Sequence, residues 1–171
     1  MLKRFAVATL LILILAISLA VYLSTQKPSD DNFNLADDFN LVLKYGVGAK
    51  NELNTFDETF TKDLVLNPPV TTILVLTSQE KMQILQKIDE MAFFGFPESF
   101  PINPHAWITP QMDYYIKVQN GSQIKEITWN SNSMIESDVK DGLDQVAACI
   151  VGLIEQKSEY KALPTPNGGY I

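Results

Sequence analysis

Hydrophobic positions along the chain fall into one unbroken block followed by several periodic stretches. From Phe5 to Leu23 nineteen consecutive residues carry no charge. As a helix rising 1.5 Å per residue they span roughly 28 Å, close to the ~30 Å hydrocarbon core of a bilayer. Lys3 and Arg4 precede the block, whereas Asp30, Asp31, Asp37 and Asp38 follow it. Because positive flanks stay cytoplasmic, Met1–Leu23 is expected to be a signal-anchor with its N-terminus inside and the remainder outside the cell membrane. Ser18, Leu19 and Ala20 form a small-x-small site, so secretion after cleavage near Ala20 is the alternative. Residues 24–38, with Pro28 and several Asp and Asn, have no period and read as an acidic linker to a domain at 39–171.

Past the linker the period changes to two. Leu41, Leu43 and Tyr45 alternate with Asn40, Val42 and Lys44, which predicts a strand ending around Gly46–Gly48. A second strand is expected over Leu53–Leu64, with Phe56, Phe60 and Leu64 on one parity and Asp57, Thr59, Thr61 and Asp63 on the wet one. Asn67, Pro68 and Pro69 should end it, leaving a third strand at Val70–Leu76. Thr77 and Glu80 then make a capping box, and Ile84, Leu85, Ile88, Met91 and Ala92 follow helical spacing to a stop near Phe94, with Gly95 as left-handed cap. The four prolines of FPESFPINPHAWITPQ impose an irregular, extended crossing. Met112 to Val118 and Ile124 to Trp129 alternate around Asn120-Gly121, the signature of a hairpin with a type I′ turn. Val139, Leu143, Val146, Ile150, Leu153 and Ile154 mark a final helix capped from Ser133 or Ser137, and the Pro- and Gly-rich end LPTPNGGYI should lie extended over the surface.

The order β-β-β-α-β-β-α predicts an α+β domain: a mainly antiparallel sheet of about five strands with two helices packed on it. Composition then narrows the chemistry. Of 171 residues 46% are hydrophobic, but the leader holds the excess; without it the chain carries 11 positive and 20 negative charges, a net of −9. That acidic balance argues against nucleic-acid binding through a basic face. One Cys and one His exclude an internal disulfide and the usual zinc ligand sets. No phosphate loop, nucleophile elbow or paired-histidine motif occurs, so no catalytic, metal or cofactor site is expected.

Individual residues still stand out. His105, the sole imidazole, would have to be the base of any Ser-His or Cys-His mechanism, although a surface-loop histidine is the simpler reading. Cys149 sits at the shoulder of the last apolar stripe as a structural thiol. Asp57, Glu58 and Asp63 cluster on the second strand, but Glu58 has the opposite parity and the three cannot all point the same way, so a solvated strand face is the simpler reading. Phe96, Phe100 and Trp107 lie on a proline-stiffened stretch where exposed aromatics would act as contact anchors. The candidate partner contacts are therefore Phe96, Phe100, His105 and Trp107 on the crossing, Asp57 and Asp63 on the second strand, and Tyr170 in the tail.

Two segments, YGVGAKNELNTFDETFTKDLV and EYKALPTPNGGYI, carry Tyr45, Gly46, Gly48, Asn51, Thr61, Lys62, Asp63, Pro166, Gly168, Gly169 and Tyr170. In these the chain resembles a group of uncharacterised extracytoplasmic proteins of Gram-positive bacteria, often lipoproteins or singly anchored. It departs from the lipoprotein members in having no lipobox Cys. The resemblance implies location and an α+β domain but no reaction. The functional expectation is a membrane-tethered extracytoplasmic domain that binds a protein or cell-envelope partner. The alternatives are a carboxylate-dependent envelope hydrolase and an inhibitor acting through its C-terminal tail.

Overall fold

The computed structural model describes residues 38–105 and 107–171; the signal-anchor and nearly all of the linker lie outside these residues. Alternating patterns produce six strands: β1 (Asn40–Val47), β2 (Asn51–Asn54), β3 (Thr59–Leu64), β4 (Asn67–Ile73), β5 (Met112–Asn120) and β6 (Gln123–Asn130). They form one antiparallel sheet in the order β4-β3-β2-β1-β5-β6. Helix α1 (Ser78–Glu90) follows β4, α2 (Ser137–Gln156) follows β6, and a short α3 (Ser158–Lys161) precedes the tail.

Register explains the core. Phe60, Leu53, Leu43, Ile116 and Ile127 stand side by side across five strands, and all are fully buried. Ile84, Leu85 and Ile88 of α1, with Leu143, Val146, Ala147, Ile150 and Ile154 of α2, complete this apolar layer. On the other parity Lys44 pairs with Glu52 and Lys117 with Glu126, each at 3.2 Å and partly exposed. A one-residue slip would exchange the two sets, so the alternation itself holds the register.

Several expected boundaries are corrected. The stretch Leu53–Leu64 is two strands, because Thr55 turns the chain: its N–H reaches the Leu41 carbonyl at 2.9 Å and its hydroxyl accepts the Leu41 N–H at 2.7 Å. Glu58 closes that turn at φ +54°. Pro68 and Pro69 do not end a strand but begin β4, which runs to Ile73 rather than Leu76. A sheet edge tolerates them since no neighbour needs their missing N–H, and they block further pairing there. Helix α1 stops at Glu90, and Ala92, not Gly95, takes the left-handed conformation. Asn120 pairs with Gln123, so Gly121 and Ser122 are the turn centre. Only Gly121 has positive φ there, which fits a II′ rather than a I′ turn. Glu136 stands at the start of α2 without a side-chain cap, while Ser133 instead accepts the Asn130 N–H at 2.9 Å.

The capping box at Thr77 is present, and it does more than start α1. Glu80 accepts from the Thr77 N–H at 2.7 Å and from Lys157, just past α2, at 2.6 Å. Partial burial acts to raise the Glu80 carboxyl, but the Lys157 and Thr77 hydrogen bonds outweigh it and hold the group below its ordinary value. A carboxyl depressed by folding stabilises at neutral pH, and the contribution is lost as pH falls through its folded value. Glu80→Gln is therefore expected to cost about 1–2 kcal/mol at neutral pH. The gap from the parent should close in acid below 4.5, the carboxyl's ordinary value, as urea melts at the two pH values will show.

Candidate functional site

The sheet has two distinct ends. At one, Asp38 leaves the linker and its carboxylate accepts the Gly121 N–H at 3.0 Å beside the β5–β6 turn. The other end, where Val47 pairs with Met112, lies roughly 24 Å away at ~3.4 Å per residue. Most of the unusual backbone and the buried polar groups gather at this distal end.

The β1–β2 turn begins it. Gly46 and Gly48 have φ of +100° and +67°, and Ala49 follows at +51°. A Cβ at Gly46 would meet Asn51 Nδ2 at 2.8 Å, so glycine leaves room for that amide. Asn51 donates to the Tyr45 carbonyl at 3.2 Å and accepts the Asp63 N–H at 3.0 Å, tying the turn to β3. Strand β3 shifts register between Lys62 and Leu64, and Asp63, expected on the wet parity, is 7% exposed there. Its carboxylate accepts the Val65 N–H at 3.1 Å and the Tyr170 hydroxyl. Val65 itself has φ +65°, and Leu66 N–H reaches back to the Leu64 carbonyl at 2.9 Å. That geometry is a γ-turn of the rare strained hand, and for a β-branched residue it costs about 1–3 kcal/mol.

The tail completes the cluster. Asn167 forms a parallel bridge with Val65, donating to Leu64 O at 3.2 Å and accepting from Leu66 N–H at 3.3 Å. Gly168, at φ +89°, lies where a Cβ would strike Leu66 at 2.7 Å. Lys50 donates to the Tyr170 hydroxyl at 2.9 Å and sits 4.9 Å above its ring; that hydrogen bond raises the Lys50 ammonium. Nearby, Lys62 is buried with its ammonium 4.3 Å from the Tyr160 ring. Burial, followed by Tyr160 and Glu155, pushes the Tyr45 phenol up, so it stays protonated.

The proline-rich crossing lies at the same end of the sheet. Ser99 bridges Thr128, and Glu98 O takes the Thr128 N–H at 2.9 Å, so the crossing covers the outer edge of β6. Asn132, 6% exposed, is its hub: Oδ1 accepts the Ile108 N–H and Nδ2 donates to Gln111, both at 2.9 Å. Gln111 bonds Asp113, whose other oxygen takes the Gly48 N–H at 3.2 Å. The two clusters thus meet at the Gly46–Ala49 turn. Held this way, the crossing leaves Trp107 86%, Ile102 53% and Ile108 51% exposed, with Met134 at 49% beside them.

The expected contact residues divide accordingly. Asp63 and Tyr170, 107 positions apart, touch. Trp107 and His105 are exposed on the crossing, the His105 N–H held by Asn103 Oδ1 at 2.9 Å. Phe96 belongs instead to the packing, half-buried with its ring 6.1 Å from Phe93 and over Gly142 of α2; Phe100 is also half-buried. Asp57 lies at the linker end in the β2–β3 turn, bonded to Asn54 at 2.8 Å. The length of β3, roughly 17 Å, therefore separates it from Asp63, beyond the ~5–10 Å over which paired carboxylates share a reaction. Cys149 is half-buried, and that burial raises its thiol. Trp129, stacked on Tyr114 at 4.9 Å, has its Nε1 buried with no acceptor among the described residues. Among those residues no group of three or more His, Cys, Asp or Glu could hold a metal. No helix there is long and apolar enough to cross a membrane. Asn132, Gln111 and Lys50 were not legible beforehand, since single polar residues near turns carry no period or motif.

No protein family, curated protein or solved structure matches the chain.

Removing the hub should free the crossing. Asn132→Ala leaves the Ile108 N–H and the Gln111 side chain without their partner and is expected to cost about 1–3 kcal/mol. Limited proteolysis should then cut between Asn103 and Gln111 in the variant while sparing the parent chain.

Proposed function

We propose that this protein is a membrane-tethered extracytoplasmic binding domain whose contact surface is the Trp107 end. The observation that supports this most directly is placement: Trp107, Ile102, Ile108 and Met134 are exposed on a segment pinned through Asn132, at the end of the sheet away from the linker. An exposed tryptophan among aliphatic side chains is costly to leave in water and favourable to bury in a partner, which is how interface anchors work. A rigid presenting loop adds affinity because little ordering entropy is lost on contact. The partner that fits this reading is an envelope protein reached by the apolar crossing.

A photo-cross-linking residue at position 107 in intact cells is expected to yield one discrete adduct. The same residue at Gln83, on the exposed face of α1, should give none. Equal labelling from both positions, or an adduct that survives Ile102→Ser with Ile108→Ser, would refute the assignment.

A further inference from the structure

The tail is held differently from the rest of the domain. Residues 164–169 are all exposed, and Ile171 is fully so. What holds them is a short set of polar contacts: the Asn167 bridge to Leu64 and Leu66, and the Tyr170 hydroxyl between Asp63 and Lys50. A segment that buries so little opens at a lower free energy than the core beneath it. Its acceptor is built without it. Asn51 fixes the Asp63 N–H, Val65 N–H fixes one carboxylate oxygen, and the γ-turn at Val65 is made within β3 and its own continuation. Strained backbone is characteristic of ligand clamps. If the tail leaves, the Asp63 carboxylate loses its hydroxyl donor, and the Leu66 N–H loses one of its acceptors. The vacated place calls for an extended peptide with a glycine against Leu66 and a hydroxyl two residues on.

We propose that Asp63, Lys50 and the Leu64–Leu66 turn are a peptide-docking site, closed in a single molecule by its own Asn167–Tyr170 and able to take the same segment from a second copy of this chain. The second copy is the occupant the geometry favours, since each copy carries the one sequence the site already fits: Asn for the bridge, Gly168 at positive φ over Leu66, and Tyr170. Pro164 and Pro166 stiffen the connection from α3, so the segment leaves as an extended unit rather than collapsing on its own surface. This proposal is independent of the role given to Trp107, because it rests on a separate set of contacts.

The probe is a fluorescein-labelled peptide of residues 163–171 titrated into the full chain. Tyr170→Phe in the chain weakens the resident tail, so the peptide should bind about tenfold tighter than to the parent, the loss expected for a hydrogen bond to a charged group. Added to Tyr170→Phe, Asp63→Asn should weaken peptide binding by a similar factor, because that resident tail no longer uses the carboxylate, and a peptide with Phe in place of its Tyr should compete about tenfold more weakly. Indistinguishable affinities across these chains, or no binding to any, would overturn the proposal. Hydrogen exchange on the unaltered chain keeps the test independent of how the variants fold. The Leu66 and Asn167 amides should exchange at least about a hundredfold faster than that of Ile150 and be slowed by excess peptide. Exchange of all three in one global unfolding would sink the idea. For the second copy, photo-leucine at Leu66 should give a dimer linked into residues 163–171 as concentration rises; only internal links at every concentration would exclude exchange between copies.

Discussion

A carboxylate removed from water organises the distal half of this domain. Asp63 is 7% exposed, and a charge so placed costs several kcal/mol unless hydrogen bonds replace its hydration. The replacements come from three parts of the chain. Val65 supplies its N–H at the expense of a strained γ-turn. Tyr170 supplies a hydroxyl from the far terminus, and Lys50 reinforces that hydroxyl from the β1–β2 turn. Asn51 fixes the backbone beneath. The glycines at 46, 48 and 168 follow from the same requirement, since each gives the chain a conformation or a closeness that a side chain would forbid. Tyr45, Gly46, Asn51, Lys62, Asp63, Gly168 and Tyr170 thus converge on one structural unit.

The other half depends on ordinary burial, secured at one joint. Antiparallel pairing lines up Phe60, Leu53, Leu43, Ile116 and Ile127, and the two long helices cover them. Glu80 serves both helices, closing the N-terminus of α1 and receiving Lys157 from the end of α2. This side chain is only partly exposed, so solvent screens the ion pair less than the surface pairs on the open sheet face. Covering of the sheet edges follows the same economy of means. Pro68 and Pro69 interrupt the free edge of β4, and Glu98 and Ser99 pair with β6 at Thr128, so each edge is blocked at one place.

The two ends of the sheet carry different features. The linker enters beside Gly121, whereas the exposed apolar residues and the docked tail occupy the far end. Both rest on the Gly46–Ala49 turn, the tail through Asn51 and Lys50 and the crossing through Asp113. The exposed apolar crossing and the tail are therefore both hydrogen-bonded to the segment around the β1–β2 turn.

From the sequence alone came the α+β class, the capping box at Thr77, the hairpin before Trp129, the apolar stripes of both long helices and an extended tail. Each rests on contacts between residues near in the chain, or on a period that burial imposes on every amphipathic element. The division of Leu53–Leu64 into two strands was hidden because Thr55 turns by bonding Leu41, 14 residues earlier. Likewise Pro68 and Pro69 read as a stop, since nothing local says that β4 is an edge strand. Asp63 and Tyr170 could be singled out, but not paired, and Asp57 could not be set apart from Asp63 without knowing that it lies in the β2–β3 turn, at the other end of β3. Only the tertiary structure decided these points: a hydrogen bond between distant residues leaves no period, and whether a carboxylate is solvated or buried depends on which segments arrive to cover it.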